Sequence, residues 1–224
     1  MANPKMFDPD ALIAQFETAT ADQAAALKKA AGDATLAALQ GRELSLKNIR
    51  AALKSVSDAA SLGAAKNVVP GMDVEALLDS AVAGMDEALL KAVDANRAAL
   101  GQLVSQGADL REKHLKKAIG DLEKFEDTLM ATLKKTAEGA GAPLAGAWGQ
   151  VLEKMQAGGT LSGAKASATV EQMATQMQEA MRTSRAASMR AAQALAESYT
   201  AMVSGVLIGM SDALQSSKAP PRKK

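Results

Sequence analysis

Residues 162–217 read SGAKASATVEQMATQMQEAMRTSRAASMRAAQALAESYTAMVSGVLIGMSDALQSS. The stretch holds no proline, and no glycine occurs between Ala164 and Ser204. About forty uninterrupted helix-compatible residues would rise roughly 60 Å as an α-helix. Apolar side chains recur at Val170, Met173, Met177 and Met181, then at Leu195, Tyr199, Met202, Val206 and Met210. Steps of three and four place them on one buried stripe. Between Met181 and Leu195 the stripe thins to Ser184, Ser188 and Ala191, which pack closely but bury little area. Thr169 followed by Gln172 has the spacing of a capping box. A helix this long needs partners along its length, and the remaining chain reads as those partners.

Immediately upstream, Leu144 to Met155 carries Trp148, Val151, Leu152 and Met155 as a short helix that Gly158-Gly159 ends. The run Gly139-Ala140-Gly141-Ala142-Pro143 separates it from a much longer segment. That segment starts behind Pro70-Gly71 with Asp73 as its cap and Met72 and Leu77 in staple positions. Its stripe runs Val74, Leu78, Met85, Leu89, Val93, Leu100, Leu103, Leu110 and resumes at Leu115, Ile119, Leu122, Phe125, Leu129, Leu133. The phase slips beside Gly107, which marks a kink or a stutter. Asp109–Lys113 and Glu112–Lys116 have i,i+4 spacing in the favourable order. Unbroken, Asp73 to Glu138 would span roughly 100 Å, so either this segment bends or the particle is elongated.

At the start, Asp8 reads as an N-cap with Pro9 at the first helical position and Phe7 set to staple against Leu12. This first helix carries Leu12, Phe16 and Leu27 to Ala31, where Gly32 is expected to stop it. Asp33 to Gly41 leaves room for two turns. Ser45 then opens an amphipathic segment with Leu46, Ile49, Leu53 and Val56 that runs out near Gly63–Pro70. The expectation is an all-α protein, an elongated helical bundle or coiled coil of long amphipathic helices with short helical connectors. Residues 1–70 supply short N-terminal helices, and 71–217 form the long-helix bundle from helices at 71–138, 144–157 and 162–217. Residues 218–224, with two prolines and four basic residues, form a tail expected to be disordered.

Composition narrows the chemistry. The aromatic residues are three Phe, one Trp and one Tyr, so the core is built of Ala, Leu, Val and Met. A formal net charge of +1 provides no global field for nucleic acid. The absence of cysteine excludes disulfides and thiolate chemistry and suits a reducing cytoplasm. Met1 to Asp10 lacks the apolar core of a signal peptide, and no apolar run approaches the ~20 residues that span a bilayer. A soluble cytoplasmic protein is expected.

His114 is the single histidine, which by count excludes a ferritin-like dimetal site and zinc sites of cysteine and histidine. It lies among Arg111, Lys113, Lys116 and Lys117 and reads as a solvated helix residue. No Gly-x-Ser-x-Gly elbow, dinucleotide fingerprint or phosphate-binding loop occurs. The reading is of a non-enzyme without cofactor or metal. Ala201 to Met210 is apolar on every side of a helix, either buried among several helices or presented to a hydrophobic surface or another subunit. Met202, Val203, Val206, Leu207 and Met210 are therefore the candidate binding residues. The tail at Lys218, Arg222, Lys223 and Lys224 would touch nucleic acid or an anionic surface only weakly.

These features together resemble the phasins, cytoplasmic bacterial proteins that coat polyhydroxyalkanoate storage granules. The likeness lies in the Ala-rich, cysteine-free helical composition and the opening Met6-Phe7-Asp8-Pro9. It extends to Asp73-Val74-Glu75-Ala76-Leu77-Leu78 after a break and to the lysine-ended tail. The Trp148 region and Gly158-Gly159 have no counterpart in that pattern. The resemblance implies a granule or other hydrophobic surface as partner; the two long segments poor in glycine and proline separately lead to the expectation of a homo-oligomer. The alternative is an oligomeric coiled-coil scaffold that binds protein partners only.

Overall fold

The computed structural model describes residues 7–40, 45–67, 71–106 and 113–183. Three helix starts in its first half are fixed by a capping side chain. Asp8 accepts the N–H groups of Asp10 and Ala11 at 3.1 and 3.2 Å and opens α1 (Pro9–Glu17). Ser45 accepts Asn48 N–H at 3.4 Å to open α3 (Leu46–Lys66), and Asp73 accepts Glu75 N–H at 2.9 Å to open α4 (Val74–Ser105). These satisfy amides that no helical carbonyl reaches.

The first helix does not run to Gly32. It stops at Glu17, and Thr20 N–H donates to Gln23 Oε1 at 3.1 Å across a short 3-10 turn. The chain restarts as α2 (Ala24–Leu39), which passes straight through Gly32. Gly32 works by size. A Cβ there would sit 3.1 Å from the Gly84 carbonyl oxygen, and one at Gly84 would sit 2.0 Å from that of Lys28. The two glycines let the backbones of α2 and α4 meet where they cross. Gly63 of α3 does the same against α1, where a Cβ would fall 2.5 Å from Ile13 O.

The segment expected as one helix over 71–138 is divided into α4, α5 (Lys113–Glu123) and α6 (Phe125–Gly139). It also folds back. Asp86 of α4 accepts the N–H groups of Leu161 and Ser162, and Glu126 of α6 accepts that of Thr160, at 2.8, 3.0 and 3.3 Å. On a straight helix those two carboxylates, 40 positions apart, would stand roughly 60 Å from each other. Gly107, where the phase slip was predicted, lies outside the described residues. Asp109–Lys113 and Glu112–Lys116 involve positions outside the described residues.

Gly141, at φ +82°, starts α7 (Ala142–Gly158), and Gly159, at φ +69°, ends it with its N–H on Met155 O at 2.8 Å. The last described element is α8 (Leu161–Thr183). The chain is an all-α helical bundle, and its described helices share one core reaching from Leu12 to Met173.

Among the described residues the centre of that core is α4. Leu78, Met85, Leu89, Val93, Leu100 and Leu103 are buried as their spacing predicts. Ala81, Gly84, Ala88, Ala92, Ala95 and Ala99 bury further faces of the same helix. Small residues admit neighbours all round, and α4 packs against α2, α3, α7 and α8. Trp148 of α7, Phe16 of α1 and Phe125 of α6 are the largest fully buried side chains.

Candidate functional site

The junction of α4, α6 and α8 gathers polar side chains from three helices. Thr160 is the N-cap of α8: its Oγ1 accepts the Gly163 N–H at 3.0 Å and donates to Glu126 Oε1 at 3.2 Å. Its own N–H also goes to Glu126, while Asp86 takes the next two amides and the Ser162 hydroxyl. All four amides from Thr160 to Gly163 are thus satisfied before Ala164 N–H bonds to Thr160 O at 3.1 Å. Two carboxylates at a helix N-terminus also complement the positive end of its dipole. Gly163 leaves room for the clamp: a Cβ there would lie 2.6 Å from both Glu126 Cδ and Thr160 Oγ1 and would displace those side chains. The arrangement clamps three helices together.

Thr169, expected as part of a capping box, sits inside α8 and donates to Lys165 O at 2.8 Å. The cap lies nine positions earlier because Gly159 ends the preceding helix and leaves Thr160 directly before α8. The spacing Gly-Gly-Thr-Leu-Ser-Gly was the available signal, with a cap residue directly behind a positive-φ glycine.

A second polar system is buried where α3, α6 and α7 meet. Trp148 Nε1 donates to Ser61 Oγ at 3.1 Å, and Ser61 donates to Ser57 O at 2.8 Å. Ser57 Oγ donates to Leu53 O at 2.7 Å, which uses its one proton. The Thr136 hydroxyl, 2.9 Å from Ser57 Oγ, is therefore the donor of that pair. Each hydroxyl is satisfied, so the seam orients three helices without leaving buried polarity unpaired.

On the surface, hydrogen bonding from Lys28 holds the Glu87 carboxyl below its usual range; partial burial opposes this and Lys91 reinforces it. Lys28 Nζ is 3.2 Å and Lys91 Nζ 3.4 Å from that carboxylate, tying α2 to α4. A hydrogen bond to Glu75 raises the Lys154 ammonium, joining α7 to α4 at 2.6 Å. Lys165 of α8 reaches Asp94 of α4 at 3.0 Å.

His114 falls on α5. Met202, Val203, Val206, Leu207, Met210 and the 218–224 tail lie outside the described residues. Among the described residues no group of three or more His, Cys, Asp or Glu is placed to hold a metal ion. No helix among them is long and apolar enough to cross a membrane.

Fold and junction together define a helical bundle of close-packed small residues, clamped at the start of α8. The chain matches a family of unknown function, DUF6781, over residues 2–216 and belongs to it. No curated protein and no solved structure matches it.

Proposed function

We propose that this chain is a non-enzymatic, phasin-like helical protein that binds a hydrophobic surface, a polyhydroxyalkanoate granule, through the apolar stretch that carries Met202, Val203, Val206, Leu207 and Met210. The supporting observation is how α8 is held. From Leu161 to Gln176 its buried apolar side chains are Ala166 and Met173, with Val170 half-buried. Its polar attachment to the bundle is the clamp at Asp86, Glu126 and Thr160, with the Lys165–Asp94 ion pair one turn on. A helix held mainly by polar contacts near its start, with little apolar area buried from Leu161 to Gln176, separates from its neighbours at small hydrophobic cost. Beyond it in sequence stand Met202, Val203, Val206, Leu207 and Met210. Transferring three such side chains from water to a polyester surface gains roughly 5–9 kcal/mol.

Circular-dichroism melting paired with a polyhydroxybutyrate-bead pull-down tests this on Val206→Asp and Leu207→Asp. Retained melting with lost attachment is expected. A variant that melts normally and still binds beads overturns the reading. Lowered melting with a dissociated oligomer favours the protein-only scaffold, and a 218–224 deletion that alone abolishes binding assigns attachment to the basic tail.

A further inference from the structure

Outside the clamp, a groove of about 270 Å³ runs between α3 and α6, lined by Arg50, Lys54, Ala131, Thr132, Lys135 and Thr136. We propose that it binds a small amphiphilic anion, an oxyanion head on a short alkyl body.

The charge on its walls is one-sided. Arg50 and Lys54 stand one turn apart on α3, Ala131 and Lys135 one turn apart on α6, and no carboxylate lines the groove. In a chain whose formal net charge is +1, three cations around one small cleft are a local concentration. Lys54 pairs with Asp58 at 2.5 Å, one turn further along α3 and outside the lining. Arg50 and Lys135 make no ion pair among the described residues. A guanidinium presents a fork suited to carboxylate or phosphate oxygens, and ammonium groups add charge beside it.

The rest of the groove suits an alkyl chain. Thr132 Oγ1 is committed to Thr128 O at 2.6 Å, and Thr136 Oγ1 to Ser57 at 2.9 Å. The threonine hydroxyls are therefore engaged within the bundle, which leaves Ala131, threonine methyls and the aliphatic stems of the three cations to meet a ligand. The volume lies just below the usual lower end for small-molecule pockets, so the body must be short. The buried Ser57–Thr136 bond fixes α3 against α6 and keeps the cleft formed without ligand.

The test is NMR titration of the full chain at low salt with hexanoate, hexyl phosphate, inorganic phosphate and hexanol. Saturable shifts on the α3 and α6 amides are expected with hexanoate or hexyl phosphate, and the tighter of the two identifies the head. Arg50→Glu and Lys135→Glu should each weaken binding by about tenfold or more. Ala131→Phe, which fills the cleft and keeps the charge, should abolish it, while Lys29→Glu on α2 should change nothing. All four substituted residues are exposed, and unchanged melting confirms that the fold persists. The proposal is overturned if neither amphiphile gives saturable shifts. It is also overturned if inorganic phosphate or hexanol binds as tightly as both of them, or if Ala131→Phe binds normally.

Discussion

Replacing Gly84 by Ala should destabilise the bundle although it improves the local helix. In an exposed helix interior, Gly→Ala gains up to about 1 kcal/mol. At Gly84 the new Cβ would stand 2.0 Å from Lys28 O, 2.9 Å from Lys28 C and 3.0 Å from Gly32 N. All three are backbone atoms, so no rotamer change relieves the clash. Reaching the 3.4 Å of ordinary contact requires α2 and α4 to part by 1.4 Å, the difference between 3.4 and 2.0. A gap of 0.5–1 Å already forfeits about a quarter to a half of the dispersion attraction across an interface. Overpacking of this kind costs about 1–3 kcal/mol or more, and with no flexible atom to yield, the upper end applies. Less the helical gain, the net loss is about 2 kcal/mol, or roughly 4–8 °C in Tm for a chain of this size. Gly101 supplies the control: it lies on the same helix, and a Cβ there meets nothing within 4 Å. Gly101→Ala should raise Tm by about 2–4 °C. Thermal melting by circular dichroism reads both. Shifts of the same sign, or a Gly84→Ala protein as stable as wild type, would refute the account of how α2 and α4 cross.

Asp86→Ala removes the acceptor of two α8 amides and should cost about 1–3 kcal/mol. Hydrogen exchange should quicken at residues 161–163 and stay slow at the buried centre of α4; uniform loss of protection would deny a local clamp. Glu87→Gln should lower stability by less than about 1 kcal/mol near neutral pH, since the pair is largely exposed. Because the folded carboxyl is held below its ordinary value, its contribution is present above the unfolded glutamate pKa and fades as pH falls through the folded one. Wild-type and variant melting curves should therefore converge at acid pH, once the lowered folded carboxyl is protonated; a difference that persists there would contradict the ion-pair origin. Trp148→Phe keeps most of the ring but loses the hydrogen bond to Ser61, for about 1–3 kcal/mol by urea denaturation. An unchanged midpoint would show that the α3–α6–α7 seam does not hold the bundle.

Where apolar side chains are large, periodicity located the buried faces. Leu78, Met85, Leu89, Val93, Leu100 and Leu103 on α4, and Phe125, Leu129 and Leu133 on α6, are buried as their spacing requires. The centrality of α4 was not legible, because its other buried faces are alanine and glycine, which carry little hydrophobic signal yet permit the closest approach. Gly32 misled for a related reason. Glycine serves equally as a stop or as a point of contact, and the deciding partner, Gly84, lies 52 positions away in sequence. The fold-back that brings Asp86 and Glu126 to one helix start was not legible, because the phase slip beside Gly107 was equally consistent with a kink and with a stutter in a straight rod. The clamp rests on Asp86 and Glu126, each of which looks like an ordinary solvated carboxylate until the fold places α8 against it. The proposed groove arises likewise, because Arg50 and Lys135 come together only when α3 packs on α6.

The central functional claim is attachment to a hydrophobic surface by apolar contact. Its most direct test is an equilibrium binding isotherm of the wild-type chain on polyhydroxybutyrate beads, with hydrophilic beads as reference, repeated at low and at molar salt. The account predicts saturable binding to the polyester alone, undiminished at molar salt, where charge attraction is screened to about 3 Å. Equal binding to both bead types, or binding lost in salt, would contradict it.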